Sequence, residues 1–191
     1  MAESPEALWL ERAPPRALIS VRLDSAADSG WVGEALGVEW RSQPLTLHHA
    51  KGWRWWSTSP GVWLIEGAAE EEASLYRLLE PPGAARLALV TVVSDAWGTL
   101  RLSGSAPALA DLFECAGPTG SEALTGRCVA TRLGAFAVTL YEPPSVGEHQ
   151  AVACRQIELR VERPLLGSLE QWLIRLGAQR GLAEGLAERV R

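Results

Sequence analysis

From Val92 to Trp172 the chain carries well-signalled strands and helices with no catalytic arrangement among them. The run opens with Val92-Val93-Ser94-Asp95-Ala96-Trp97-Gly98-Thr99-Leu100-Arg101-Leu102-Ser103-Gly104 and closes with Ile157-Glu158-Leu159-Arg160-Val161-Glu162-Arg163-Pro164 leading to Trp172. No nucleophile–base pair, metal cluster or phosphate loop interrupts it, so the pattern points to a subunit of something larger. A chain of 191 residues can bury most of its apolar surface without disulfides or metal. Its 47% hydrophobic and 21% charged residues are those of a globular protein.

Charge narrows the function classes. The net charge is −5, the basic residues are scattered, and only one, Lys51, is a lysine. No arginine-rich run could follow a phosphate backbone, so nucleic acid is not an expected partner. The N-terminus, Met1-Ala2-Glu3-Ser4-Pro5-Glu6, lacks an apolar leader, and no run of 18 uncharged apolar residues is present. The expectation is a cytoplasmic protein with no membrane partner. Cys115, Cys128 and Cys154 lack CxxC spacing, and reduced thiols are expected rather than a disulfide or zinc site.

Element signals follow from periodicity. Ala17 to Leu23 reads as a strand, Asp24 to Gly30 as a turn and Leu36 to Trp40 as a second strand. Trp53–Ser57 and Val62–Glu66 flank Pro60-Gly61, the chemistry of a tight hairpin turn. Glu70 to Leu79 has acidic residues in its first turn and leucines at i, i+3, i+4, which predicts a helix. Leu87 to Ser94 is apolar and β-branched and reads as a buried strand. Thr99 to Ser103 alternates as a half-buried strand. Ser105-Ala106-Pro107 begins a helix through Cys115. Strands are expected at Arg127–Arg132, Phe136–Tyr141 and Cys154–Val161, and an amphipathic helix at Leu165–Leu176. The order argues for an α+β fold with antiparallel sheets and helices packed on one face, rather than a doubly wound parallel sheet. The expected organisation is an irregular N-terminal arm over 1–15, a compact domain over 16–179 of two intimate halves (16–86 and 87–179), and a tail over 180–191.

At Ser59-Pro60-Gly61-Val62-Trp63-Leu64-Ile65 the chain resembles the gamma subunit family of heterotetrameric sarcosine oxidase, itself related to the aminomethyltransferase (T-protein) fold. Ser59 stands where the family usually has glycine. Ser94-Asp95 followed by Leu102-Ser103-Gly104, the segment Gly126-Arg127-Cys128-Val129-Ala130-Thr131-Arg132-Leu133-Gly134, and Val161-Glu162-Arg163-Pro164 before Trp172 resemble further family segments. The last more often reads Arg-Ser-Phe. The resemblance covers Trp53 to Leu176. It implies a T-protein-like fold and an accessory subunit without catalytic residues. Larger alpha and beta flavoprotein subunits and a small delta subunit would be its partners, and would carry FAD, FMN, NAD, tetrahydrofolate and zinc. The complex would oxidatively demethylate a secondary or tertiary amine and pass the one-carbon unit to tetrahydrofolate. Two alternatives stand beside it: a free-standing tetrahydrofolate-binding one-carbon transfer domain, and a homo-oligomeric scaffold.

The candidate residues follow. Asp95 ends an apolar strand beside Trp97. The related fold implies a folate-binding carboxylate, a role Asp95 would take only in the first alternative; otherwise it is a turn-forming aspartate. His48-His49 with Glu39 or Asp28 would need a bend to hold one ion, because adjacent strand residues point to opposite faces. The aromatic set Trp53, Trp55, Trp56 and Trp63, with Trp9 in the arm and Trp172 in the last helix, is either a partner interface or core.

Overall fold

The computed structural model describes residues 8–24, 29–81, 88–117, 124, 126–143, 155–178 and 182–184. The chain forms two compact units. One, the split unit, joins Met1–Pro14 to Trp97–Arg191; the other, the inserted unit, is Pro15–Ala96. The division therefore falls at Ala96/Trp97 rather than at 86/87. The strand at 88–92 pairs with the strand at 16–23, which draws it into the earlier unit.

In the inserted unit β2 (Arg16–Leu23), β3 (His48–Ala50), β4 (Trp53–Ser59), β5 (Val62–Ala68) and β6 (Ala88–Val92) form one antiparallel sheet in the order β3-β4-β5-β2-β6. Helices α1 (Gly30–Leu36) and α2 (Glu72–Leu78) share a core with one sheet face, built from Ile19, Val21, Trp31, Val32, Trp55, Trp63, Ile65 and Leu75. The β4–β5 hairpin turns at Pro60-Gly61 as its sequence predicts. Gly61 has φ +73°, and a Cβ there would lie 2.6 Å from the carbonyl oxygen of Leu23, so both conformation and space demand glycine.

Two local expectations fail here. Leu36 to Trp40 is not a strand: Leu36 closes α1, and Gly37 caps it in the left-handed conformation at φ +64°. The spacing of Leu36, Val38 and Trp40 imitates strand alternation. Gly33 lets Trp40 approach α1, since a Cβ at Gly33 would lie 2.6 Å from the Trp40 Cβ. The run at 88–92 is a strand but not a buried one. It is the last strand of its sheet, and Leu89 is 59% exposed.

The split unit holds a six-stranded sheet in the order β11-β1-β7-β10-β9-β8, made of β1 (Leu8–Arg12), β7 (Trp97–Gly104), β8 (Cys128–Leu133), β9 (Phe136–Tyr141), β10 (Arg155–Glu162) and β11 (Leu182–Glu184). All described pairings are antiparallel except β1 with β11. Helices α3 (Ala106–Ala116) and α4 (Leu166–Gly177) cover one face through Leu109, Leu112, Phe113, Leu169 and Leu173, against Leu100, Leu102, Leu140, Ile157, Leu159 and Val161. Ser105 caps α3 by accepting from the Ala108 N–H at 3.3 Å, which gives the Ser-Ala-Pro start its physical basis.

The N-terminal segment is not wholly an irregular arm. Leu8–Arg12 is a strand between β11 and β7, with Leu8 and Leu10 in the core. Its five residues and neighbouring prolines conceal the alternation. Of the expected tail, Leu182–Glu184 pairs with β1; its other residues, like Cys154 and Asp28, lie outside the described ones. The α+β class with antiparallel sheets and helices on one face is what the sequence predicts.

Candidate functional site

The sequence-nominated residues separate by burial. Trp55 and Trp63 lie in the core of the inserted unit, and Trp56, on the opposite sheet face, is equally buried. All three are buried within the chain itself. Trp53 is partly buried over Gly67, where a Cβ would lie 2.4 Å from its ring. Trp172 is likewise partly buried. It packs on Gly134, at φ +54° in the β8–β9 turn, and meets Phe136 at 6.0 Å between ring centroids. Trp9 is 46% exposed.

Trp40, Trp55, Trp63 and His48 form one connected array. Trp40 stacks on Trp55 at 5.4 Å and 12° and meets Trp63 edge-on at 5.2 Å, and His48 also stacks with Trp55 at 5.5 Å. The Trp55 indole donates to the Arg41 carbonyl at 3.0 Å, tying the 39–47 segment to β4. Each such ring pair adds about 0.5–1.5 kcal/mol to area burial. His48, a candidate ligand in the sequence, is in the structure a wall of this array. His49, the next residue on β3, is exposed. No group of three metal-ligating side chains occurs among the described residues.

His48 carries a pH consequence. Burial holds its pKa below the ordinary 6.5, and the nearby charges of Arg41 and His49 act in the same direction, while a backbone contact with Gln43 opposes them. Its Nε2 is buried with no hydrogen-bond partner among the described residues. The neutral form is thus native, and the unfolded chain takes up a proton first as pH falls. His48 therefore costs no stability above pH 6.5, and stability is lost as pH drops below that value towards the folded pKa. Urea midpoints measured on either side of pH 6.5 are expected to fall with acidification in the native chain, and to fall less in His48→Phe.

Asp95 lies in a 3-10 turn, Ser94–Ala96, and is exposed. The strand it was expected to end stops at Val92, and its neighbour Ser94 is the residue that holds the structure there, accepting from the Leu18 N–H at 2.8 Å. Asp95 is thus an exposed turn carboxylate rather than one buried at the end of a strand.

The sequence reading missed a set of buried charges on the sheet faces turned away from the helices. Arg54 and Glu66 are directly opposite in the β4–β5 register and form an ion pair, which Arg16 extends at 3.8 Å. In the split unit Arg101 bridges Glu158 and Glu11 at 3.0 Å each, across three strands. Burial disfavours the Arg101 charge, but those two carboxylates more than offset it and raise its pKa. Arg160 donates to the Tyr141 hydroxyl at 3.0 Å and lies over that ring. The alternation Ile157-Glu158-Leu159-Arg160-Val161 is legible as a polar strand face; that this face is buried is not.

What the arrangement defines is a class: an α+β chain of two sheet-and-helix units, rigidified by cross-strand ion pairs and an aromatic array. No protein-family model matches the sequence, and no curated protein matches it. Among solved structures, the fold is similar to a chain of heterotetrameric sarcosine oxidase from Corynebacterium sp. U-96 in complex with pyrrole 2-carboxylate. The TM-score is 0.72, with 16% identity over 93% of this chain and 87% of that one. The regulatory subunit of aspartate kinase from Thermus thermophilus matches with a TM-score of 0.43 and 11% identity over 90% of this chain and 95% of that one. The likeness to the sarcosine oxidase chain spans nearly the whole of both chains. At this identity it is a likeness of fold. No described helix is long and apolar enough to cross a membrane.

Proposed function

We propose that the chain is a non-catalytic, gamma-type subunit of a heterotetrameric, flavin-dependent sarcosine oxidase-like complex. The reading rests on one observation: a fold match of TM-score 0.72 that spans nearly the whole of both chains. The described side chains agree with it, because their buried charges are consumed in cross-strand pairs that fix sheet geometry rather than gathered around a substrate. In this reading larger alpha and beta flavoprotein subunits and a small delta subunit hold FAD, FMN, NAD, tetrahydrofolate and zinc. Together they demethylate a secondary or tertiary amine in the cytoplasm, and this chain braces them.

Purification of the tagged chain from its native host, with an absorption spectrum and identification of what accompanies it, tests the proposal. Flavin absorbance together with larger subunits is the expected result. A colourless single chain would overturn it. Stabilisation of such a chain by tetrahydrofolate would then favour the one-carbon transfer alternative, and self-association the scaffold.

A further inference from the structure

Among the described residues, two non-glycine residues adopt the left-handed backbone conformation, Leu45 at φ +58° and Lys51 at φ +51°. That conformation costs an L side chain free energy and persists only where neighbouring contacts enforce it. The two residues bracket β3 and its buried His48. β3 is three residues long, lies at the edge of its sheet and pairs with β4, His48 standing opposite Trp55. Ahead of it, residues 39–47 contain no helix and no strand. The segment 39–50 is thus a strained strap at a sheet edge, an element that opens at lower cost than the core of its unit.

The aromatic array holds the strap down. Trp40 stacks on Trp55 and meets Trp63, Trp55 donates its indole N–H to the Arg41 carbonyl at 3.0 Å, Leu47 is buried, and His48 stacks with Trp55. One of these fasteners is titratable. The His48 Nε2 is buried with no hydrogen-bond partner among the described residues, so a proton placed there meets no acceptor in the closed strap. The charges around it oppose that proton: Arg41 on the strap and His49 on β3 are both of the wrong sign. The Glu39 carboxylate is taken up by Arg41 at 3.0 Å. On β4, Arg54 stands opposite His49 and is paired with Glu66, and Lys51, which follows β3, adds a further positive charge. In the open strap the imidazolium meets water instead.

We propose that residues 39–50 form a proton-released strap: protonation of His48 lifts β3 and the segment before it from β4 and uncovers Trp55, while the rest of the inserted unit stays folded. The opening needs no partner or ligand and does not rest on the subunit reading above. The closed strap excludes the proton and the open one accepts it at the ordinary histidine value. The open fraction therefore rises by up to about tenfold for each pH unit below 6.5, until the folded pKa is reached.

Hydrogen exchange followed by NMR on the full chain tests the strap, read as protection factors so that the intrinsic pH dependence of exchange is removed. The reporters are the Trp55 indole N–H and the β3 amides. The β2–β5 ladder, from Arg16 opposite Ala68 to Arg22 opposite Val62, is the reference for global unfolding. The reporters are expected to be less protected than the reference at every pH and level above pH 6.5. Below it their protection is expected to fall by a factor approaching about tenfold per pH unit. His48→Phe keeps an aromatic ring against Trp55 and cannot take a proton, so it is expected to abolish the slope. Should that variant fold poorly, His48→Gln, also uncharged, is expected to do the same. Reporters as protected as the reference at every pH would overturn the proposal, because β3 would then open only with the whole unit. So would reporters whose protection does not change with pH, or a slope that survives in both variants.

Discussion

Glu66→Ala is expected to lower the unfolding free energy by about 3–5 kcal/mol, the cost of breaking a buried ion pair from one side. Glu66 is only 1% exposed, and it faces Arg54 across β4 and β5 with Arg16 at the margin. Truncation strips the carboxylate from a guanidinium that is itself buried. The double substitution Arg54→Met, Glu66→Leu separates the loss of the pair from the loss of packing. With the charges gone together and the volume retained, it is expected to recover most of the stability, because apolar replacements of buried pairs are often neutral or better. Urea titration followed by far-ultraviolet circular dichroism reads both. A Glu66→Ala midpoint equal to that of the native chain would show that the pair is not what holds β4 to β5.

Trp55→Ala is expected to cost about 3–5 kcal/mol, the range for removing a large aromatic from a core that cannot collapse around the void. Trp55 is the hub of its array: it stacks with Trp40 and His48 and bonds the Arg41 carbonyl. Its loss leaves those neighbours without a wall and cuts the tether of the 39–47 segment to β4. Trp55→Phe keeps most of the apolar area and discards the hydrogen bond, so a smaller loss of about 1–3 kcal/mol is expected. Tryptophan fluorescence during urea unfolding reports both, since the stacked indoles change environment together. Equal losses in the two variants would mean that the tether, rather than the ring volume, carries the effect.

Periodicity exposes most of the split unit. Ser105-Ala106-Pro107, the leucine spacing of α3 and α4, and the alternation of β7 and β10 are local signals, and tertiary packing agrees with each of them. The inserted unit is harder to read. The seven-residue helix α1 contains Gly30 and Gly33, poor helix formers, and survives because Trp31, Val32 and Leu36 are buried. β1 is bounded by prolines and finds its partners only in distant sequence. The tryptophans mislead for a different reason. Composition counts aromatic residues but says nothing about whether a pleated face is covered, so Trp55, Trp56 and Trp63 read as interface or core until their burial is known. Even the uncharged run at 88–92, legible as a strand, has an apolarity that suggests two-sided burial when it marks an edge.

The split unit is interrupted by the inserted one, with a consequence for how the chain is made. Glu11 and Arg101, joined through an ion pair, are 90 positions apart in sequence, and everything between Pro15 and Ala96 belongs to the other unit. On a ribosome β1 emerges before the rest of its sheet and has no described neighbour to pair with until β7, and then β11, have followed it. The inserted unit carries its own core and can form during that interval, bringing the two ends of its segment together and shortening the loop that β1 must close. β1 is thus among the last strands of its sheet to be placed, and it waits unpaired until its neighbours arrive.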